Sequence, residues 1–78
     1  MTDSPQNQVF DLEGHEFIEL HNLLKVTGLC HSGAMAKLVI AEGRVKVDNK
    51  IELRKRCKIR KGQQVQFDGQ NITIIAES

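Results

Sequence analysis

Aromatic side chains are scarce: the chain has no tryptophan, no tyrosine and only Phe10, Phe17 and Phe67. All three fall in apolar patterns, which assigns them to the core. Nothing is then left on the surface for successive bases to stack on, the usual device of modules that read single strands. Cysteine is equally sparse. Cys30 and Cys57 form no C-x-x-C pair, and His15, His21 and His31 show no H-x-x-x-H spacing, so no zinc site is indicated. No apolar run reaches the roughly 18 residues that a spanning helix needs. The opening residues are polar and acidic and lack the apolar stretch of a secretory leader. A reduced, cytoplasmic setting is expected. There is no glycine-rich nucleotide loop. No acid, base and nucleophile stand together in a motif, so catalysis is not expected and neither is a cofactor.

Charge is abundant but segregated. Residues 1–24 carry five acids and no Lys or Arg, whereas residues 25–61 carry all eleven Lys and Arg against three acids. The net charge of +1 hides this, and it is the local field that selects a partner. The densest stretch is Arg54-Lys55-Arg56-Cys57-Lys58-Ile59-Arg60-Lys61, a concentration that suits a polyanion.

At 78 residues the chain is long enough for one domain and no separate catalytic unit. Residues 1–8 read as a loose polar tail, and residues 9–78 as the domain. Val9, Phe10 and Leu12 suggest a short strand. Phe17, Leu20, Leu23 and Leu24 share a helical face, which predicts a helix over 15–27 with Glu16 and Glu19 in its first turns and Gly28 closing it. Ser32 is a candidate N-cap for a second helix over 32–42, with Met35, Ala36, Val39 and Ile40 inward and Gly43 at its end. Val45 and Val47 alternate with Arg44 and Lys46, so one face is apolar and the other basic. Asp48-Asn49 and Asp68-Gly69 are turn pairs. Ile51 and Leu53 continue the inward alternation. Lys61-Gly62-Gln63 is a turn, and strands follow at Val65–Phe67 and Ile72–Ile75. The pattern predicts an α+β fold: two packed helices on a small, twisted, mostly antiparallel sheet of about four strands between residues 44 and 76.

One stretch is specific. Gly28, Leu29, Ser32, Ala36, Lys37, Ile40, Gly43, Val45, Val47 and Lys50 stand in the order and spacing of the S4-like RNA-binding domain, the αL fold. Lys61-Gly62-Gln63-x-Val65 is similar to that family's turn into its next strand. The resemblance spans roughly residues 19–67 and is greatest to the small stand-alone bacterial members. Gly33 stands where the family often has Arg, Glu19-Leu20-His21 where it often has Arg-Leu-Asp, and Asp48-Asn49 where it has Asn-Gly.

The resemblance implies a non-catalytic protein that positions structured RNA, ribosomal or transfer RNA, in translation or ribosome assembly. It implies a monomer with no membrane partner. The residues expected on the RNA are Lys37, beside a helix start at Ser32 and Gly33 that suits a phosphate; Arg44, Lys46 and Lys50 on the first hairpin; and Arg54, Lys55, Arg56, Lys58, Arg60 and Lys61. With so few aromatics, backbone geometry would be read rather than sequence. The acidic first segment would lie away from this surface. Cys30 is expected in the core. Cys57 is a small residue among cations whose thiol its neighbours could activate. The rival reading is a protein-interaction module whose basic patch docks an acidic partner such as an RNA-processing enzyme; under either reading a ribosomal or RNA-modifying protein is a candidate partner.

Overall fold

A computed structural model describes residues 6–76. Of the expected tail, residues 1–5 lie outside the described residues. Residues 6–8 are not loose: they open strand β1 (Gln6–Asp11).

The two helices are shorter than their apolar spacing predicts. The first, α1, runs Leu20–Val26. Residues 15–19 are not helical, and Ile18–Glu19 form a two-residue strand, β2. Glu19 is the extended N-cap of α1 and makes no side-chain capping bond. Its carboxylate instead meets His21 Nε2 at 3.0 Å. The second helix, α2, runs Gly33–Ala41 behind Ser32, whose Oγ accepts the Met35 N–H at 3.1 Å. It ends in a left-handed turn. The Gly43 N–H donates to Ile40 O and the Arg44 N–H to Val39 O, which satisfies two carbonyls that the helix end would leave unpaired. Gly43 has φ of 76°, an angle costly for a residue with a Cβ. Met35, expected inward, is at the exposed margin of the helix.

Strands β3 (Val45–Val47), β4 (Lys50–Ile51), β5 (Lys58–Ile59), β6 (Gln64–Phe67) and β7 (Gln70–Ile75) complete the elements. Both predicted hairpin turns form. Asp48 and Asn49 have φ of 52° and 70°, and Asp68 and Gly69 have 54° and 77°, the paired positive angles of the turns that suit twisted hairpins.

The sheet is larger than expected. Five strands run in the order β1-β7-β6-β3-β4, and β1 lies parallel to β7. Strands β2 and β5 form a separate antiparallel pair, Ile18 opposite Ile59 and Glu19 opposite Lys58. Val9 and Phe10 signal a strand at β1, but neither its pairing nor the β2–β5 pair is visible in the local pattern: a parallel partner sits far away in the chain, and two-residue strands have no period.

One apolar cluster holds the layers together. Leu20, Leu23 and Leu24 of α1 and Ala36, Val39 and Ile40 of α2 join Val45, Val47, Ile59, Val65, Phe67, Ile72 and Ile74 from the strands, with Leu12 and Cys30. Each large side chain taken fully from water contributes about 1.5–3 kcal/mol. Ile51 and Leu53 are the exceptions to the alternation: they are 59% and 61% exposed. Strand β4 is a two-residue edge strand whose residues are both exposed, and it holds Ile51 on its surface.

Candidate nucleic-acid interface

The basic segment is pinned by α1. A helix start leaves backbone N–H groups without internal partners. Here the Leu20 N–H donates to Cys57 O at 2.9 Å and the His21 N–H to Lys55 O at 3.0 Å. The Cys57 N–H closes a turn onto Arg54 O at 3.1 Å. The carbonyls of Lys55 and Cys57 are thereby drawn toward α1, while Arg54, Lys55, Arg56 and Lys58 keep exposed side chains. The cationic loop is a fixed platform.

Across from it stands α2. Lys37 and Ala41, one turn apart on the helix, form one wall of a groove of about 760 Å³, and Leu53 to Lys58 form the other. The structure therefore brings Lys37 together with Arg54, Lys55, Arg56 and Lys58. Arg54 is also held from behind by Glu52: Nε lies 2.9 Å from Oε2, Nη2 lies 3.4 Å from Oε1, and the Arg54 N–H donates to Oε2 at 3.0 Å. These bonds hold the Glu52 carboxyl below its ordinary value.

The other predicted residues are spread more widely. Ser32 uses its hydroxyl to cap α2. Gly33 faces open space, with nothing within 4 Å of where a Cβ would stand. Arg44 and Lys46 line a second concavity, of about 300 Å³, with Gln66 and Asn71. Arg44 lies over the Phe67 ring, 5.5 Å from its centroid, and Nη1 is 3.6 Å from Glu42 Oε1. Lys50 opens β4 beside the Asp48–Asn49 turn and lines neither concavity. Arg60 and Lys61 lie just beyond β5. The Arg60 N–H donates to Gln63 Oε1 at 2.7 Å, which braces the turn between them.

Three expectations are corrected. Phe17 is not a core residue: it is half-buried, with Lys58 Nζ 5.1 Å and Arg60 Cζ 5.6 Å from its ring centroid. Such cation–ring contacts orient both cations along one side of β5. The acidic first segment does not lie wholly away from the basic surface, since Glu19 sits directly opposite Lys58. Finally, Cys57 is not activated. Burial and the Glu52 charge push its thiol up, and Arg54 offsets this only in part. Cys30 is buried as expected, and burial pushes its thiol up as well.

The residues that sequence reasoning missed are Ala41 and Leu53 in the groove and Gln66 and Asn71 in the second concavity. The small or apolar ones look like core in a linear pattern, and the amides carry no charge signal.

With this geometry in place, the similarities to known proteins are informative. The S4 domain family matches residues 10–75. "Putative RNA-binding protein YbcJ" of Escherichia coli (strain K12) is 52% identical over 67 residues, covering 86% of this chain and 96% of that protein. "Uncharacterized protein YbcJ" of Shigella flexneri matches to the same extent. A solution structure of YbcJ from E. coli, described as revealing an αL motif involved in RNA-binding, superposes with a TM-score of 0.69 at 51% identity. That match covers 87% of this chain and 86% of that one. The chain belongs to the S4 domain family and has the αL fold.

Proposed function

We propose that this chain is a non-catalytic RNA-binding protein that holds structured RNA, ribosomal or transfer RNA, on its basic αL surface. The observation that carries the reading is the groove itself: Lys37 of α2 faces Arg54, Lys55, Arg56 and Lys58 on a loop fixed by α1. Among the described residues only Arg44 and Arg54 of the Lys and Arg side chains form ion pairs. Cations held in place without internal counter-charge are ready to displace the counterions of a phosphate backbone. Arg56 can also grip a phosphate through two parallel N–H donors. Arg44, Lys46, Lys50, Arg60 and Lys61 extend the positive surface beyond the groove, and the start of α2 at Ser32 and Gly33 adds exposed backbone. The names of the YbcJ relatives support RNA as the partner. A monomer acting in the cytoplasm, in translation or ribosome assembly, fits that partner.

The test is a titration of isotope-labelled protein with structured ribosomal and transfer RNA fragments, followed by backbone amide NMR at two salt concentrations. Shifts gathered at Ser32 to Lys37, Arg44 to Lys50 and Leu53 to Lys61, and reduced at the higher salt, are the expected result. If no RNA moves these amides even at low salt while an acidic protein does, the surface is a protein-docking site instead.

A further inference from the structure

Resting on the RNA reading, we infer that the groove between α2 and the Leu53–Lys58 loop receives a single nucleotide extruded from a structured RNA, its base against an apolar floor and its flanking phosphates on cationic walls.

The floor is the first observation. Charged walls alone would suffice for a phosphate backbone, yet Ala41 and Leu53 open onto the groove, with the half-buried Cys57 beside them. Leu53 is 61% exposed, and Ile51 beside it is 59% exposed. The apolar surface also continues beyond the groove. A Cβ placed on Gly43 would stand 3.7 Å from Ile51 Cγ2 and 3.8 Å from Leu53 Cδ2, so these two side chains lie together over the end of α2. Contiguous exposed apolar surface of this kind marks a recognition site.

Size and charge select the occupant. The groove is open to solvent, and its volume of about 760 Å³ leaves room for a single base. It admits one base but not a duplex, whose stacked pairs stay outside and present only phosphates to the rim. Cations stand on both walls, Lys37 on the helix and Lys55, Arg56 and Lys58 on the loop. A strand that dips one base between them leaves a phosphate on either side. An unpaired base has already lost its pairing partner, so taking it from the stack costs little. With Phe17 covered by Lys58 and Arg60 and Phe67 buried, an aliphatic floor is what the site offers in place of an aromatic platform.

The experiment compares three RNA hairpins by fluorescence anisotropy: one fully paired, one with a single bulged nucleotide, and one whose bulge is abasic. The bulged hairpin is expected to bind about tenfold tighter than the paired one, the gain from covering one apolar side chain. The abasic bulge keeps the backbone but has no base, and it should forfeit most of that gain. Leu53→Asn should bring the ratio of bulged to paired affinity close to one. Its side chain is largely outside the core, and its circular dichroism spectrum would verify that the variant folds. Equal affinity for the bulged and paired hairpins, or for the bulged and abasic ones, overturns this inference and leaves the RNA reading standing. Failure of the protein to bind any of the three hairpins, together with no response to ribosomal or transfer RNA fragments, overturns both.

Discussion

Asp48 and Gln64 are bonded to each other in both directions. The Asp48 N–H donates to Gln64 O at 2.8 Å, and the Gln64 N–H donates to Asp48 Oδ1 at 3.0 Å. The second carboxylate oxygen accepts from Gln63 Nε2 at 3.1 Å. Gln63 in turn holds the Arg60 N–H, so one aspartate links the first hairpin to the turn after β5. Asp48 does this while holding a left-handed backbone, with φ of 52°.

Asp48→Ala should therefore destabilise the fold by about 2 kcal/mol, from lost hydrogen bonds and from a left-handed alanine. Asp48→Gly loses the same bonds but tolerates the angle, and should cost about 1 kcal/mol less. Urea unfolding of the two variants separates the contributions.

Ser32→Ala should cost about 1 kcal/mol, because the Met35 N–H loses its partner, while Ser32→Gly should cost only a few tenths. Thermal unfolding measures both. If the hydroxyl also met RNA, Ser32→Gly would weaken binding out of proportion to its small effect on stability.

The Glu52–Arg54 contact gives an acid dependence. Glu52 has a lowered pKa in the folded protein, chiefly through its hydrogen bond from Arg54. The folded state thus favours the carboxylate, and the stabilisation is fully present above the ordinary value of 4.5. It is lost as pH falls through the lower folded value. The stability difference between the wild type and Glu52→Gln should be constant near neutrality and shrink below that point. Urea midpoints measured across this range would show a parallel offset instead if the contact contributed nothing.

Lys37→Ala should lower the slope of log affinity against log salt by about one, as expected for one lost phosphate contact. Lys25→Ala is the matched control. Lys25 is an exposed lysine near the end of α1 that lines neither basic concavity. Its removal should leave the slope within error, and an equal loss from both variants would mean that the groove is not the site.

What could be read from the chain alone was whatever its neighbours in sequence determine. Ser32, the inward Ala36, Val39 and Ile40, and Gly43 define α2 through capping and a 3.6-residue period. Asp48-Asn49 and Asp68-Gly69 declare their turns because few other residues take positive φ. The failures are long-range. Phe17 shares a helical spacing with Leu20 and Leu24, yet Ile18 and Glu19 pair with a strand forty positions away, and that pairing outweighs the local period. Ile51 and Leu53 alternate correctly but belong to an edge that the core does not reach. For the site, the cations were visible as composition. Their arrangement was not, because which of them face Lys37 depends on carbonyls of Lys55 and Cys57 capping α1.

The parallel pairing of β1 with β7 bears on how the molecule assembles. Gln6 meets Gln70 and Asp11 meets Ile75, so almost the whole chain is enclosed by this one contact. The hairpins at Asp48 and Asp68 close short loops, whereas this pairing must close the longest loop in the described chain, with the largest entropic cost. The order of events follows: helices and hairpins condense first, and β1 docks onto a sheet that is already built. Native-state hydrogen exchange is expected to show β1 opening ahead of the strands it docks onto.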